Sequence, residues 1–202
     1  MASWVTPVTP PAPASLSAVH SLLVAATKAE AAHLPSDADV LITGIGKTAA
    51  ATALARRLSS YDEVGLRSLQ VVNLGTAGAL HAHLSGLFEI GSVLNHEINA
   101  DAIRALGYDP REHLVIGAGE TVLATGDVFV TDPVLRDALA LRAQLVDMEG
   151  YAIAYVAGEF GVPVRMVKYV SDTADESAHD WNEIVDHCAR ELGDWVTGSL
   201  ED

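Results

Sequence analysis

Apolar residues fall along this chain in blocks of two kinds, and the alternation of the blocks predicts the fold. Short runs rich in Val, Ile and Leu carry no polar alternation, as in SLLVAAT, ADVLIT, LQVVNL and VRMVKYV. Such runs read as strands buried on both faces of a parallel or mixed sheet. Between them lie Ala-rich or periodic stretches that read as helices. SLLVAATKAEAAHL predicts a strand ending near Thr27 and then a short helix, and ADVLITGIGKTAAATALARRL predicts a strand, a glycine turn and a long helix. LQVVNLGTAGAL is a third strand with a glycine-rich exit. From Leu87 to Pro133, three short β-like runs broken by Gly and Asp predict an extension of the sheet or a partial barrel. A short helix over PVLRDALAL follows, then a strand-like VDM leading into the helix EGYAIAYVAGEF, which Gly161 and Pro163 end. VRMVKYV forms the last strand, and a helix starts at about Asp180, with Trp181, Ile184, Val185, Cys188, Leu192 and Trp195 at helical spacing. The pattern predicts a three-layer α/β/α domain whose central mixed sheet extends into a partial barrel.

The ends and the charge narrow the setting. Pro7, Pro10, Pro11 and Pro13 mark residues 1–18 as a flexible Pro/Ala-rich arm rather than a signal peptide, leaving 19–202 as a single domain. Twelve Lys and Arg against 27 Asp and Glu give a net charge of −15, which repels nucleic acid and anionic membranes alike. No run approaches the ~20 apolar residues of a membrane span. The lone Cys188 has no internal disulfide partner and suits a reducing cytoplasm, where it reads as a core residue.

Candidate chemistry centres on VDMEGYAIAYVAGEFGVPVRMVKYVSDTAD, residues 146–175, which places Glu149 and Asp172 at the two ends of one helix-then-strand unit. Ligands of α/β sheets bind beyond the carboxyl ends of strands, so the two carboxylates are expected side by side on one rim, an arrangement suited to bond cleavage. Each also has a structural reading: Glu149 as a first-turn acid facing the helix dipole, Asp172 as an N-cap. GIGKT at 44–48 resembles the end of a phosphate-binding loop, but the glycine required five positions before Gly46 is Leu41. What remains is a turn whose free N–H groups could serve an anion or a hydroxyl. HEINAD at 96–101 lacks a second His at zinc spacing, and GTAG at 75–78 lacks the third glycine of a dinucleotide fingerprint. No Gly-x-Ser-x-Gly elbow is present. Neither a metal nor a cofactor is expected.

Taken in order, GIGKTAAA, NLGTAGAL, TGDVFV, VDMEGYAIAYV and VSDTAD resemble the signatures of the nucleoside phosphorylase and nucleosidase superfamily, nearest to 5′-methylthioadenosine/S-adenosylhomocysteine nucleosidases. The likeness runs from residue 20 to about 185. It implies a nucleoside phosphorylase-like fold, a homodimer, a small-molecule purine nucleoside as substrate and a role for each matching residue. Glu149, after Met148, would accept the ribose hydroxyls, as a carboxylate with two oxygens can. Asp172, beside Ser171, would protonate the departing purine, for which its pKa would have to be raised. Glu30 would orient or deprotonate water. Phe129 would stack on the base, Val130 would offer backbone contacts, and Thr76, Ala77 and Gly78 would line the base and ribose pocket. Thr27, Ile45 and Trp181 are candidates for the 5′ side or, equally, for core packing.

Breaking a glycosidic C–N bond passes through an oxocarbenium-like sugar, which needs a proton for the base, a placed water and nearby negative charge. Asp172, Glu30 and Glu149 could supply all three. Few cations are expected on the rim, which favours water over phosphate as nucleophile. The chain departs from the family at two places. Lys168, four before Asp172, stands where relatives usually carry Arg, so its support of Glu149 lacks the guanidinium fork. The stretch between Gly107 and Thr125 is shortened, which leaves the 5′ substituent and the interface open. Futalosine hydrolysis, phosphorolysis and nucleoside binding with little catalysis remain the alternatives.

Overall fold

The structure is a computed structural model that describes residues 20–174 and 181–201. The expected arm over 1–18 lies outside the described residues. Strand β3 (Leu69–Ala79) organises the sheet. Along one edge it pairs with β8 (Val164–Asp172), parallel, from Val71 to Gly78. Its other edge is shared. β1 (His20–Ala25) runs parallel to residues 69–73, and β7 (Leu145–Asp147) runs antiparallel to Gly78 and Ala79. β7 pairs with β6 (Thr121–Thr125), β6 with β4 (Leu87–Asn95), and β4 with β8, which closes a five-stranded mixed barrel. β2 (Asp39–Ile42) extends the sheet beyond β1, and β5 (His113–Val115) extends it beyond β4. The expected partial barrel is therefore a closed one.

Alternate side chains of the unbroken apolar strands serve the two helical layers, as the period of two requires. Leu22, Val24, Leu69 and Val71 pack against Ala50, Leu54 and Leu58 of α1 (Lys47–Leu58) and Ile153 and Ala157 of α5 (Gly150–Glu159). Leu23, Val72, Leu74 and Val167 face the other way, onto Leu192 and Val196 of α6 (Trp181–Glu201). Cys188 is fully buried, as expected of a core position. α4 (Pro133–Ala140) begins with Pro133 and is capped by Asp132, whose side chain accepts the Val134 N–H.

Three local features differ from the sequence expectations. No helix follows β1. Thr27 and Glu30 form reciprocal bonds of the capping-box type, Thr27 N–H to Glu30 Oε2 at 3.0 Å and Glu30 N–H to Thr27 Oγ1 at 3.2 Å, but Pro35 lies five residues on and only turns form. Conversely, α2 (Glu63–Arg67) and α3 (Ala100–Ala105) are helices too short to show an apolar period. Their caps Asp62 and Asn99 accept the N–H groups of Gly65 and Ala102.

Among the described residues no helix is long and apolar enough to cross a membrane. The α1/α5 layer carries much of the core, so Ile153→Ala is expected to lower the unfolding free energy by about 2–5 kcal/mol in urea titration, through the cavity it leaves among Leu22, Leu54 and Val71.

Candidate active site

Gly78 is the point where the polar groups converge. β8 places Asp172 against it from one side and β7 places Val146 from the other, so that a Cβ at residue 78 would lie 3.0 Å from Asp172 Oδ1 and 3.2 Å from Val146 Cγ1. Because β8 runs parallel and β7 antiparallel to β3, Glu149 and Asp172 reach this stretch from opposite directions. The expected rim of parallel carboxyl ends is replaced by the wall of a barrel. Between Ala77 and Gly78 the β3/β8 register slips by one residue and leaves Ser171 unpaired, a bulge that re-aims Asp172. A cavity of about 390 Å³ opens here.

Glu30 enters it from the turns after β1 and is 5% exposed. Oε2 accepts the Thr27 N–H and Oγ1–H, and Oε1 accepts the Thr76 N–H and Oγ1–H, at 2.9–3.0 Å. Four donors on four lone-pair positions hold it as an oriented carboxylate. Asp172 is held at both oxygens as well, by Ser171 Oγ–H at 2.7 Å and by the Ala174 N–H at 2.8 Å. Ala174 takes a left-handed φ of 49° to make that bond.

Glu149 precedes α5 without capping it. The cap is Asp147: its Oδ2 accepts the Gly150 N–H at 2.9 Å, and its Oδ1 accepts from Thr125 Oγ1, which in turn accepts the Tyr151 N–H. Glu149 is thereby free to point Oε1 at the Gly46 N–H, 2.7 Å away. Burial first, and then the charge of Asp147, push the Glu149 carboxyl up to about 7, against the opposing pull of Lys168 and the Gly46 N–H.

Lys168 was expected among the substrate contacts. It is instead buried behind the cavity, with Nζ 2.9 Å from Asp147 Oδ2 and both side chains 2% exposed. Burial alone would lower its pKa, but the charges of Asp147 and Glu149 outweigh that and raise it. Glu30 lies close by. A Cβ on Gly75 would meet Glu30 Oε1 at 3.0 Å and Lys168 Nζ at 3.3 Å, so the glycine lets both groups sit over the strand.

Thr76, Ala77, Gly78, Met148, Glu149, Ser171 and Asp172 all line the cavity, as do Thr27, Ile45, Phe129 and Val130. Phe129 is 49% exposed and Val130 is buried. The candidate Trp181 opens α6, and its side chain lies outside the described residues. Ala26, Val128, Val146 and Asp147 also line the cavity and were not foreseen. Asp147 had a signal: it and Lys168 are oppositely charged residues set directly against apolar strand neighbours, Val146 and Val167. Among the described residues no Lys, Arg or His lines this cavity, and no group of three or more His, Cys, Asp or Glu could hold a metal ion.

A family model described as the phosphorylase superfamily matches residues 94–200, more than half of the chain. The chain belongs to the phosphorylase superfamily. Relatives of this superfamily member include the 5′-methylthioadenosine/S-adenosylhomocysteine nucleosidases of Shewanella putrefaciens, 30% identical over 69% of this chain and 71% of that protein, and of Shewanella oneidensis, 30% identical over 69% of each. Among solved structures, a Helicobacter pylori MTAN mutant with 5′-methylthioadenosine in the active site superposes with a TM-score of 0.75 at 20% identity, covering 91% of this chain and 98% of that one. The native futalosine hydrolase of Helicobacter pylori superposes at 0.72, also at 20% identity and with the same coverage. These likenesses establish the superfamily fold.

Two consequences can be measured. Below pH 4.5 Glu149 is protonated in both folded and unfolded chains; between 4.5 and about 7 only the unfolded chain ionises, so this group lowers stability as pH rises through that window. At 1.36 kcal/mol per unit, Glu149→Gln should be more stable than the parent by up to about 3 kcal/mol at pH 8, the gap closing toward pH 4 in urea titrations. A gap independent of pH would contradict the assignment. Lys168→Met leaves Asp147 buried without its partner and is expected to cost about 3–5 kcal/mol in the same measurement.

Proposed function

We propose that this superfamily member hydrolyses the N-glycosidic bond of a purine nucleoside, 5′-methylthioadenosine or S-adenosylhomocysteine, and releases the free base. One observation carries the reading: Glu30, Glu149 and Asp172 share a single cavity that no described cation lines. Asp172 protonates the leaving purine, which turns a poor leaving group into a neutral one. Glu149 accepts the ribose hydroxyls, and its charge, with that of Glu30, stabilises the oxocarbenium-like sugar. Glu30 orients the water. Thr27 Oγ1 or Thr76 Oγ1 can rotate its hydroxyl proton away to free a lone pair for that purpose. Phe129 stacks on the base, Val130 contributes backbone contacts, and residues 76–78 line the base and ribose.

Water is favoured over phosphate because two backbone donors of the GIGKT turn that could bind an anion already hold carboxylates. Gly46 N–H holds Glu149, and Lys47 N–H holds Asp127 Oδ1 at 2.7 Å. The exposed apolar side chains of Ile45 and Val128 beside the cavity favour a thioether at the 5′ position. Futalosine hydrolysis is the second reading, supported by the shared fold of the Helicobacter pylori enzyme. The same proposal takes residues 19–202 as one catalytic domain acting as a homodimer in the cytoplasm, with neither nucleic acid nor membrane as partner. The net charge of −15 supports the exclusion of both.

A panel of methylthioadenosine, S-adenosylhomocysteine, adenosine, inosine and futalosine, assayed for free base with and without phosphate, tests the reading. Base release is expected without phosphate, with a thioether nucleoside preferred; strict phosphate dependence would sink hydrolysis. Asp172→Asn should lower kcat by about 10²–10⁴. Release at the parental rate would remove Asp172 from the mechanism.

A further inference from the structure

The GIGKT turn makes a second set of contacts that the proposed reaction leaves unexplained. Lys47 and Glu97 do not line the cavity, yet they grip the loop that carries Phe129. The Lys47 N–H bonds Asp127 Oδ1 at 2.7 Å, while its side chain crosses to the end of β4. There Nζ lies 2.5 Å from Glu97 Oε2 and 3.2 Å from Asn95 Oδ1. Glu97 Oε1 accepts the Val128 N–H at 3.0 Å. Nζ also lies 3.9 Å from Asp127 Oδ2. Loop 126–130 is therefore held by one residue at Asp127, through the Lys47 backbone and ammonium, and at Val128, through the ammonium and Glu97. Immediately before Lys47, the Gly46 N–H holds Glu149. Gly46 has φ 95°, and a Cβ there would stand 3.0 Å from Asp127 Oδ1, so the turn is packed directly against the loop.

We propose that Lys47 is a positioning residue for base recognition: paired with Glu97, it sets the base-stacking loop 126–130 in register with the ribose-holding Glu149. The proposal rests on the nucleosidase reading above. Val130 is buried and anchors the end of the loop, while the bonds through Lys47 hold Asp127 and Val128 beside the half-exposed Phe129. Glu97 stays ionised in the range where the enzyme would work. Burial would raise the Glu97 carboxyl, but Lys47 and the N–H groups of Asp127 and Val128 outweigh it and hold it at about 2. Lys47 touches no reacting atom, so its loss should weaken the grip on the base and leave the chemistry nearly intact.

The test compares kcat and KM for base release from methylthioadenosine in the parent, Lys47→Met, Glu97→Gln, the double variant and Lys47→Arg, with urea unfolding as a check on folding. Each single variant is expected to raise KM about tenfold, the size of one charge-assisted bond, with kcat within about threefold. The double variant should be no worse than the worse single, and Lys47→Arg should recover most of the loss. An unchanged KM, single effects that multiply in the double variant, or a fall in kcat at constant KM would overturn the proposal. Glu97→Gln, which keeps side-chain shape, carries the test alone if Lys47→Met does not fold. If the parent cleaves no nucleoside, the nucleosidase reading has failed. Titration with adenine then decides the positioning role: a Kd raised about tenfold by Glu97→Gln upholds it, and an unchanged Kd overturns it.

Discussion

The Lys168 ammonium, 2.9 Å from Asp147 and sealed in the barrel wall, is the contact on which the acidic site depends. Glu30, Asp147 and Glu149 all line one cavity, and like charges gathered out of water repel strongly. A buried ammonium beside Asp147, with Glu149 and Glu30 near, offsets that repulsion from behind, while among the described residues no cation lines the cavity itself. Asp147 also caps α5, so the residue that neutralises Lys168 fixes the helix start from which Glu149 projects. Charge balance and geometry are thus set by the same side chain. A cost remains: burial first, and the charge of Asp147 second, hold the Glu149 carboxyl near 7, and functional sites commonly retain such costs.

Much of this was legible in the sequence. Unbroken apolar strands and periodic helices gave the layers, because burial on both faces removes polar alternation in a way that few other structures do. Barrel closure was less legible. It depends on β3 exchanging β1 for β7 along one edge, a long-range pairing that leaves no local mark. The same holds for the bulge at Ser171, which aims Asp172, and for the opposite directions of β7 and β8. Glu30 shows how a local signal can mislead. Its capping-box pattern with Thr27 announces a helix, but its other oxygen is drawn across to Thr76, and the segment remains a turn.

The GIGKT turn links fold to chemistry. Its motif suggests phosphate, and its N–H groups do bind anions, but those anions are the protein's own carboxylates, Glu149 and Asp127. A turn that serves a phosphate in other α/β proteins here braces Glu149 and the loop beside it. Lys168 fits the same economy: a single ammonium in a closed space reaches Asp147, where the planar fork of an Arg would demand more room.

The central claim is that water, placed among these carboxylates, takes the sugar. Cleavage of methylthioadenosine in ¹⁸O-labelled water with phosphate present tests it most directly. The account predicts one ¹⁸O atom on the anomeric carbon of the released sugar and no sugar phosphate. An unlabelled sugar phosphate would contradict it.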